Sequence, residues 1–492
     1  MRPWALLLGA AGLLYLAASN AVPFGQYVDD VQWLLYAENL LKGSGLKAWA
    51  LLPVRELSLT WGVPAVLMPL LALFGRSLLL IKGTFAAAFF GGLLLFFLAT
   101  RRGFEGPRLY AYLVLLFFCD FLLPFAGSAL SEPPYLLLFG ALVYLLAERD
   151  ILLSERPKTW ALLGALGAAL ALTRALGTAM LLAVLAELCL ARRWRAAVVF
   201  TVSAAVCSTP YLLYAAQGEG RVNFYGIYWE SLSSAGALGV FAGNAWFYLK
   251  GLSCLSFLYL PALAPSSAWV KVPFVMLCLA LVGAGVFRGR RDPFRRVLAL
   301  YLLAYLGVCC AYPYQAPRYV VPLYPVFLLF LCEGLLALPS RSAAGALCVL
   351  AVLGLGSNLP GLSRTLKASL SQPPEVPHAA YDWLRANSGE GDSVISTDAA
   401  RIFYFTGRKG LLTATGEDAA AFAAETRRLK ARFVVVGGGG FVPAAPGLSD
   451  PTRALHKRNA RFAGDPRHFR LAHEDAAEGV RVYEPASRSL GP

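Results

Sequence analysis

Two adjacent carboxylates, Asp29 and Asp30, follow the first apolar run of the chain in the stretch PFGQYVDDVQWLLYAENLLKGSG. A carboxylate sheltered at the edge of a membrane has its pKa raised toward the range in which it works as a general base. An Asp placed ahead of Val31, Leu34, Leu35 and Leu41 also caps a helix. The two readings are compatible, because a helix N-terminus itself draws anions and metal-bound groups. Glu132 enters another apolar run in SALSEPPY, where Ser131 before it and Pro133-Pro134 after it also make a helix-start pattern. Arg174, in LTRALG, and Arg318, in YQAPRYVVPLYP, stand at the ends of apolar runs. A guanidinium there either snorkels or meets a phosphate in bidentate fashion. Asp120, in LFFCDFLLPF, is an acid near the end of a further run, a functional candidate by position and equally a loop-edge residue. All four histidines (378, 456, 468, 473) lie in the last quarter of the chain, so acid–base chemistry in the apolar part falls to carboxylates.

The elements that must carry these residues are read from composition. Of 492 residues 58% are hydrophobic and only 15% charged, with a mean hydropathy of +0.59. A soluble chain carries about 25% charge, and apolar runs near the ~20 residues of a bilayer crossing recur through the first three quarters. The expected fold is an α-helical polytopic membrane protein. The net charge of +15 does not argue for nucleic acid, because much of it sits in short clusters between apolar runs. The nine cysteines lie in or beside apolar stretches with no metal or redox spacing, and read as small core residues.

The first run, 3–22, reads as an uncleaved helix. Residues 23–76, with Trp33, Trp49 and Trp61, read as helices on the membrane surface. Spans follow at about 77–99, 109–125, 133–148, 159–173, 175–191, 196–216, 272–288, 296–312, 319–338 and 342–359. Five basic clusters, around Arg101, Arg156, Arg193, Arg291 and Arg341, all fall inside if the N-terminus is cytoplasmic and the spans number about eleven. Loops 23–76 and 217–271 and the tail then lie outside. The segment LSCLSFLYLPALA (252–264) is short for a span and reads as a re-entrant or surface helix.

The composition changes near residue 373. PEVPHAAYDWLRANSGEGD and GEDAAAFAAETRRLKA are helices, DAARIFYFTG is helix-like, and SVIS, RFVVVGGGG and VRVYEP are strands. The division expected is a transmembrane domain over 1–372 and a small extracytoplasmic α/β domain over 373–492. The GGGG after the second strand lacks the Lys-Ser/Thr of a P-loop.

The acidic pair followed by YAENLLKGSG, the stretch SALSEPPYLLLFGALVYLLA, and the late segment YQAPRYVVPLYPVFLLF resemble, in that order, the corresponding loops and spans of the GT-C glycosyltransferases. The resemblance is narrower to the bacterial relatives of protein O-mannosyltransferases and of the lipid A aminoarabinose transferase, and covers nearly the whole chain. It implies a membrane glycosyltransferase of the bacterial cytoplasmic (inner) membrane, with its site facing the periplasm. The donor is a polyprenyl-phosphate sugar, and the acceptor is a glycan, lipid or protein. Carried over by residue, it implies Asp29 as catalytic base, with Asp30 as a second candidate or a metal ligand. Glu132 positions a divalent cation (Mg2+ or Mn2+) or the acceptor. Arg318 faces the lipid phosphate, with Arg174 and Lys250 adding positive charge and Tyr314 and Tyr319 joining in substrate binding. The rival readings are a lipid-linked sugar flippase or secondary transporter, and a non-catalytic relative that binds the lipid-linked sugar.

Overall fold

The structure is a computed structural model. It describes residues 3–43, 61–148, 151–216, 236–257, 268–312, 315–337, 340–375, 379–411, 413–414, 416–437, 451–476 and 479–486. The chain divides into two compact units. One joins Met1–Val22, Thr60–Gln217 and Gly236–Pro374, and the other joins Pro23–Leu59, Gly218–Ala235 and Glu375–Pro492.

Every secondary-structure element among the described residues of the first unit is helical. Leu78–Gly103, Trp194–Tyr214, Val272–Gly289, Pro293–Ala311 and Ser342–Ser371 are long and apolar enough to cross a bilayer, and six shorter apolar helices of 10–17 residues accompany them. The expected count of about eleven spans thus meets five such helices among the described residues. The last expected span, 342–359, runs on through Pro360 in a single helix to Ser371. The expected span 109–125 breaks instead, with a helix ending at Phe117 and a short turn of helix at Leu123–Ala126. Of the expected re-entrant segment 252–264, residues 252–257 close a helix, Ala237–Phe257, and the remainder lies outside the described residues.

Small residues set how closely these helices pack, as expected where lipid is as apolar as the interface. Helix Leu78–Thr100 crosses helix Glu132–Ala147 at Gly92 and Gly140. A Cβ on Gly92 would run into the Leu136 carbonyl, and one on Gly140 into the Gly92 oxygen. Phe96 stacks on Phe139 one turn away. This crossing fixes the helix whose first residue is Glu132. At other helix ends the basic clusters have acidic partners: Arg296 clasps Glu187 through two hydrogen bonds of 2.5 and 2.9 Å, and Arg295 donates to Glu333 at 2.8 Å.

The second unit is an α/β domain. Its sheet holds β1 (Ser393–Ile395), β2 (Lys409–Leu411), β3 (Ala431–Val436), β4 (Phe469–Asp475) and β5 (Val480–Pro485) in the order β2-β1-β3-β5-β4. The first three strands run parallel, and β5 pairs antiparallel with both β3 and β4. Alternation along β3 feeds two cores, as a central strand must. Phe433 and Val435 pack with Tyr381, Leu384 and Ile402 on one face. Val434 and Val436 pack with Phe422, Phe462 and Phe469 on the other. The sheet is therefore covered by Ala379–Asn387 and Ala399–Thr406 on one side and by Ala419–Arg428 and Pro451–Ala463 on the other. The protein is an α-helical polytopic membrane protein with a small C-terminal α/β domain.

Candidate functional site

Two groups of charged residues stand out, one in each unit. In the membrane unit, Glu132 is the first residue of an apolar helix and has no exposed surface. Its carboxylate sits where the helix dipole favours negative charge. Arg174 closes helix Pro157–Thr173 in an extended conformation, and its Nη1 donates to Glu132 Oε1 at 2.5 Å. It also reaches Ser131 Oγ at 3.5 Å. Arg318 brings its Nε to 3.9 Å from the same Glu132 oxygen. Both guanidinium groups lie over the Tyr319 ring, at 5.1 and 5.8 Å from its centre, which adds cation–π attraction.

Tyr135 and Tyr301 share a hydroxyl hydrogen bond of 3.1 Å beneath this cluster. Tyr305, one turn on from Tyr301, stacks edge-on with both. Among the described residues, Glu132 Oε2 and the Tyr305 hydroxyl are buried without a hydrogen-bond partner. Buried polar atoms in this condition mark a place made for something more. The approach to Arg318 is pinned by Asn244, whose amide donates to the Cys310 and Tyr312 carbonyls at 2.9 and 2.6 Å and accepts from Gln315 at 3.0 Å. Two guanidinium groups against one carboxylate leave the cluster with an excess positive charge. In a desolvated place that favours an anion able to accept two parallel hydrogen bonds from a guanidinium, such as a phosphate.

Glu132, Arg174, Arg318 and Tyr319 therefore meet. Lys250 is half-buried on helix Ala237–Phe257, six residues beyond Asn244, or about 9 Å along the axis. Tyr314 lies outside the described residues. Asp120 is apart from this cluster, its backbone N–H donating to Asn358 Oδ1 at 3.0 Å.

Asp29 and Asp30 belong to the second unit. The expectation that they are an N-cap pair is corrected. The N-cap of helix Val28–Leu41 is Tyr27, and the acids are its second and third residues. Asp29 is half-buried, while Asp30 is 2% exposed. Asp30 turns back on the chain, its Oδ2 accepting the Gly25 N–H at 2.9 Å and its Oδ1 the Val31 N–H at 2.7 Å. Gly25 has φ +88°, a left-handed conformation that glycine reaches without steric cost, so the turn depends on its having no Cβ. Burial pushes the Asp30 carboxyl up to about 7, against the two amide donors and Arg401, which hold it down.

Glu132 does not fit the role expected for it with a divalent cation, because two guanidinium groups face it and would repel a dication. Among the described residues no three His, Cys, Asp or Glu side chains converge as a metal site.

Sequence reading passed over three features. Lys82, 1% exposed, donates to Asn20 Oδ1 at 2.6 Å and to the Val22 carbonyl at 2.9 Å. A lone lysine inside LLLIKGTFAAAFF was a signal in itself. Tyr301 and Tyr305, at i and i+4 in an apolar helix, were a weaker one. Arg401, 4% exposed, gave none.

No family model matches the chain, and none of the curated proteins compared with it does. Solved structures do. ArnT from Cupriavidus metallidurans bound to undecaprenyl phosphate superposes with a TM-score of 0.60 at 12% identity, over 99% of either chain, and its apo state does so equally. The oligosaccharyltransferase AglB from Archaeoglobus fulgidus, in complex with an inhibitory peptide and a dolichol-phosphate, superposes at 0.55 and 12% identity over 100% of this chain and 75% of its own. Both are GT-C glycosyltransferases, and at this identity the likeness is one of fold: the chain has the fold of the GT-C membrane glycosyltransferases.

Proposed function

We propose that the protein transfers a sugar from a polyprenyl-phosphate-linked donor to an acceptor hydroxyl, at the outer face of the bacterial cytoplasmic membrane. The observation that carries this is the net-positive cluster of buried Glu132 and Arg174 with half-buried Arg318. Two proteins of the same fold, solved with undecaprenyl phosphate and with a dolichol-phosphate, support it. Arg174 and Arg318 take the donor's phosphate, and Glu132 holds the two guanidinium groups in one geometry. Asp29, the half-buried member of the acidic pair, removes the acceptor's hydroxyl proton. The acceptor oxygen bonds to the anomeric carbon, the bond from that carbon to the phosphate oxygen breaks, and its electron pair leaves with polyprenyl phosphate. The configuration at the anomeric carbon is inverted. The guanidinium groups neutralise the charge growing on the departing phosphate, the kind of contribution that usually dominates such steps.

The test is release of polyprenyl phosphate by the purified full-length protein in detergent, with a panel of polyprenyl-phosphate sugars, each with Mg2+, with Mn2+ and with EDTA. The expected result is release from one donor, lowered about 10²–10⁴-fold in Asp29→Asn and sharply reduced in Arg318→Ala. Binding of the lipid-linked sugar without release from any donor would replace this reading with that of a flippase or a non-catalytic binding protein.

A further inference from the structure

The acidic pair is carried by a helix whose lead-in is held by the C-terminal domain's own residues. Two contacts tie the stretch 23–27 to helix Ala399–Thr406, and a third ties it to Glu375. The Arg401 Nη2 donates to the Gln26 carbonyl at 2.6 Å. The ring of Phe24, 1% exposed, packs on Tyr404 at 5.5 Å. Phe24 also forms an isolated parallel bridge with Glu375. Gly25 and Asp30 then close the turn onto helix Val28–Leu41, which itself packs on Ala399–Thr406.

Arg401 is held in place for this. Asp398 is the N-cap of its helix, yet its side chain makes no cap hydrogen bond. The carboxylate is directed instead at Arg401 Nη1, 3.3 Å away. An Asp at an N-cap normally satisfies a backbone N–H of the first turn. This one forgoes that for the guanidinium, and Ser396 Oγ accepts its backbone N–H at 3.1 Å. A buried arginine whose other hand grips a main-chain carbonyl 375 residues away in sequence is an expensive way to fill space, since hydrophobic side chains do that as well or better.

We infer that Arg401, held by Asp398, is a positioning residue for the acidic pair: by gripping the Gln26 carbonyl it sets where helix Val28–Leu41 begins, and so where Asp29 stands. This rests on the transferase reading for its catalytic meaning, and on the geometry alone for the grip.

Two measurements on the full-length protein in detergent separate these. Hydrogen exchange of peptides covering 23–31 is read in wild type, Arg401→Ala, Arg401→Lys and Asp398→Asn. Exchange is expected to quicken at least tenfold in 23–31 in Arg401→Ala, with β3 and β5 as slow as in wild type, less in Asp398→Asn, and least in Arg401→Lys. Polyprenyl phosphate release is then expected to show kcat lowered about 10–100-fold in Arg401→Ala, with KM for the lipid donor unchanged and kcat partly recovered in Arg401→Lys. Unchanged exchange in 23–31 overturns the grip whether or not the protein is active. Faster exchange with wild-type kcat overturns the positioning role and leaves the transferase reading standing. If Arg401→Ala unfolds the whole domain, the decision passes to Asp398→Asn and Arg401→Lys, in which faster exchange across the sheet as well as in 23–31 overturns the inference.

Discussion

Two buried acidic residues, Glu132 beside the proposed phosphate site and Asp30 beside the proposed base, are held by opposite means. Glu132 in the membrane unit is held by side chains: Arg174 at 2.5 Å, Arg318 at 3.9 Å, both charged. Asp30 in the other unit is held by main chain: two amide N–H groups at 2.9 and 2.7 Å, offered by a turn that needs a glycine. A carboxylate locked to a guanidinium is part of an ionic scaffold, and its removal strands the partner's charge. A carboxylate on backbone amides in a desolvated turn can take up a proton without breaking an ion pair. The first arrangement suits the binding of a permanent anion, and the second places a titratable group beside Asp29.

The largest effect should come from breaking the ionic arrangement. Arg174→Ala leaves Glu132 buried and short of its nearest partner, at a cost of about 3–5 kcal/mol, read as a fall in Tm by thermal shift in detergent. Adding Glu132→Gln should restore part of it. If the double variant were as unstable as the single one, the two residues would not act as a pair. Next is the glycine of the turn. Gly25→Ala forces a Cβ into φ +88°, at about 1–2 kcal/mol, and should speed exchange locally in 23–31 with little change in the membrane unit.

A third prediction concerns pH. The Asp30 carboxyl in the folded protein lies at about 7, above its ordinary 3.8. The folded state therefore binds the proton more tightly than the unfolded state. The stabilisation is fully present below 3.8 and is lost as the pH rises through about 7. The second unit's Tm should fall over that window, and Asp30→Asn should flatten the slope. A slope unchanged in Asp30→Asn would assign it to another group. The smallest effect is the contrast case. Arg481 and Glu474 pair at 2.7 Å, but both side chains reach solvent, and Arg481→Ala should leave Tm unchanged within measurement error.

How much of this was legible follows from how far each signal reaches along the chain. Helices Leu78–Thr100, Glu132–Ala147 and Trp194–Ala216 fall within a residue or two of their apolar runs, because apolar length is a local property. Strands β1, β3 and β5 were visible for the same reason. Strand β4, FRLAHED, and helix Pro451–Ala463 were passed over. Outer positions of β4 are charged and exposed, and the helix is polar on most of its surface. In the site, residue types and places at helix ends pointed to Glu132, Arg174 and Arg318, though not to their mutual contact. The N-cap was misplaced because nothing in QYVDD announces that Gly25 turns left-handed and that Asp30 folds back to it. Arg401 lay beyond reach, since its partner is a main-chain carbonyl at the other end of the chain.

The clasp around Asn20 has a consequence for how the protein is made. Its backbone N–H donates to Ser369 Oγ at 3.0 Å and its amide to the Gln372 carbonyl at 2.9 Å, and Asn20 Oδ1 is what receives Lys82. The partners are 349 and 352 residues apart. At about 5–20 residues per second, a ribosome takes on the order of 20–70 seconds to bridge that interval. Lys82 is made 62 residues into that interval, and from then until Ser369 and Gln372 appear it is in the nascent protein with an acceptor that has not itself been fixed. The membrane unit therefore cannot lock from its N-terminus onward as it emerges; its first helix waits for its last, and a lysine meant for a buried place must be sheltered by lipid headgroups or the insertion machinery until then.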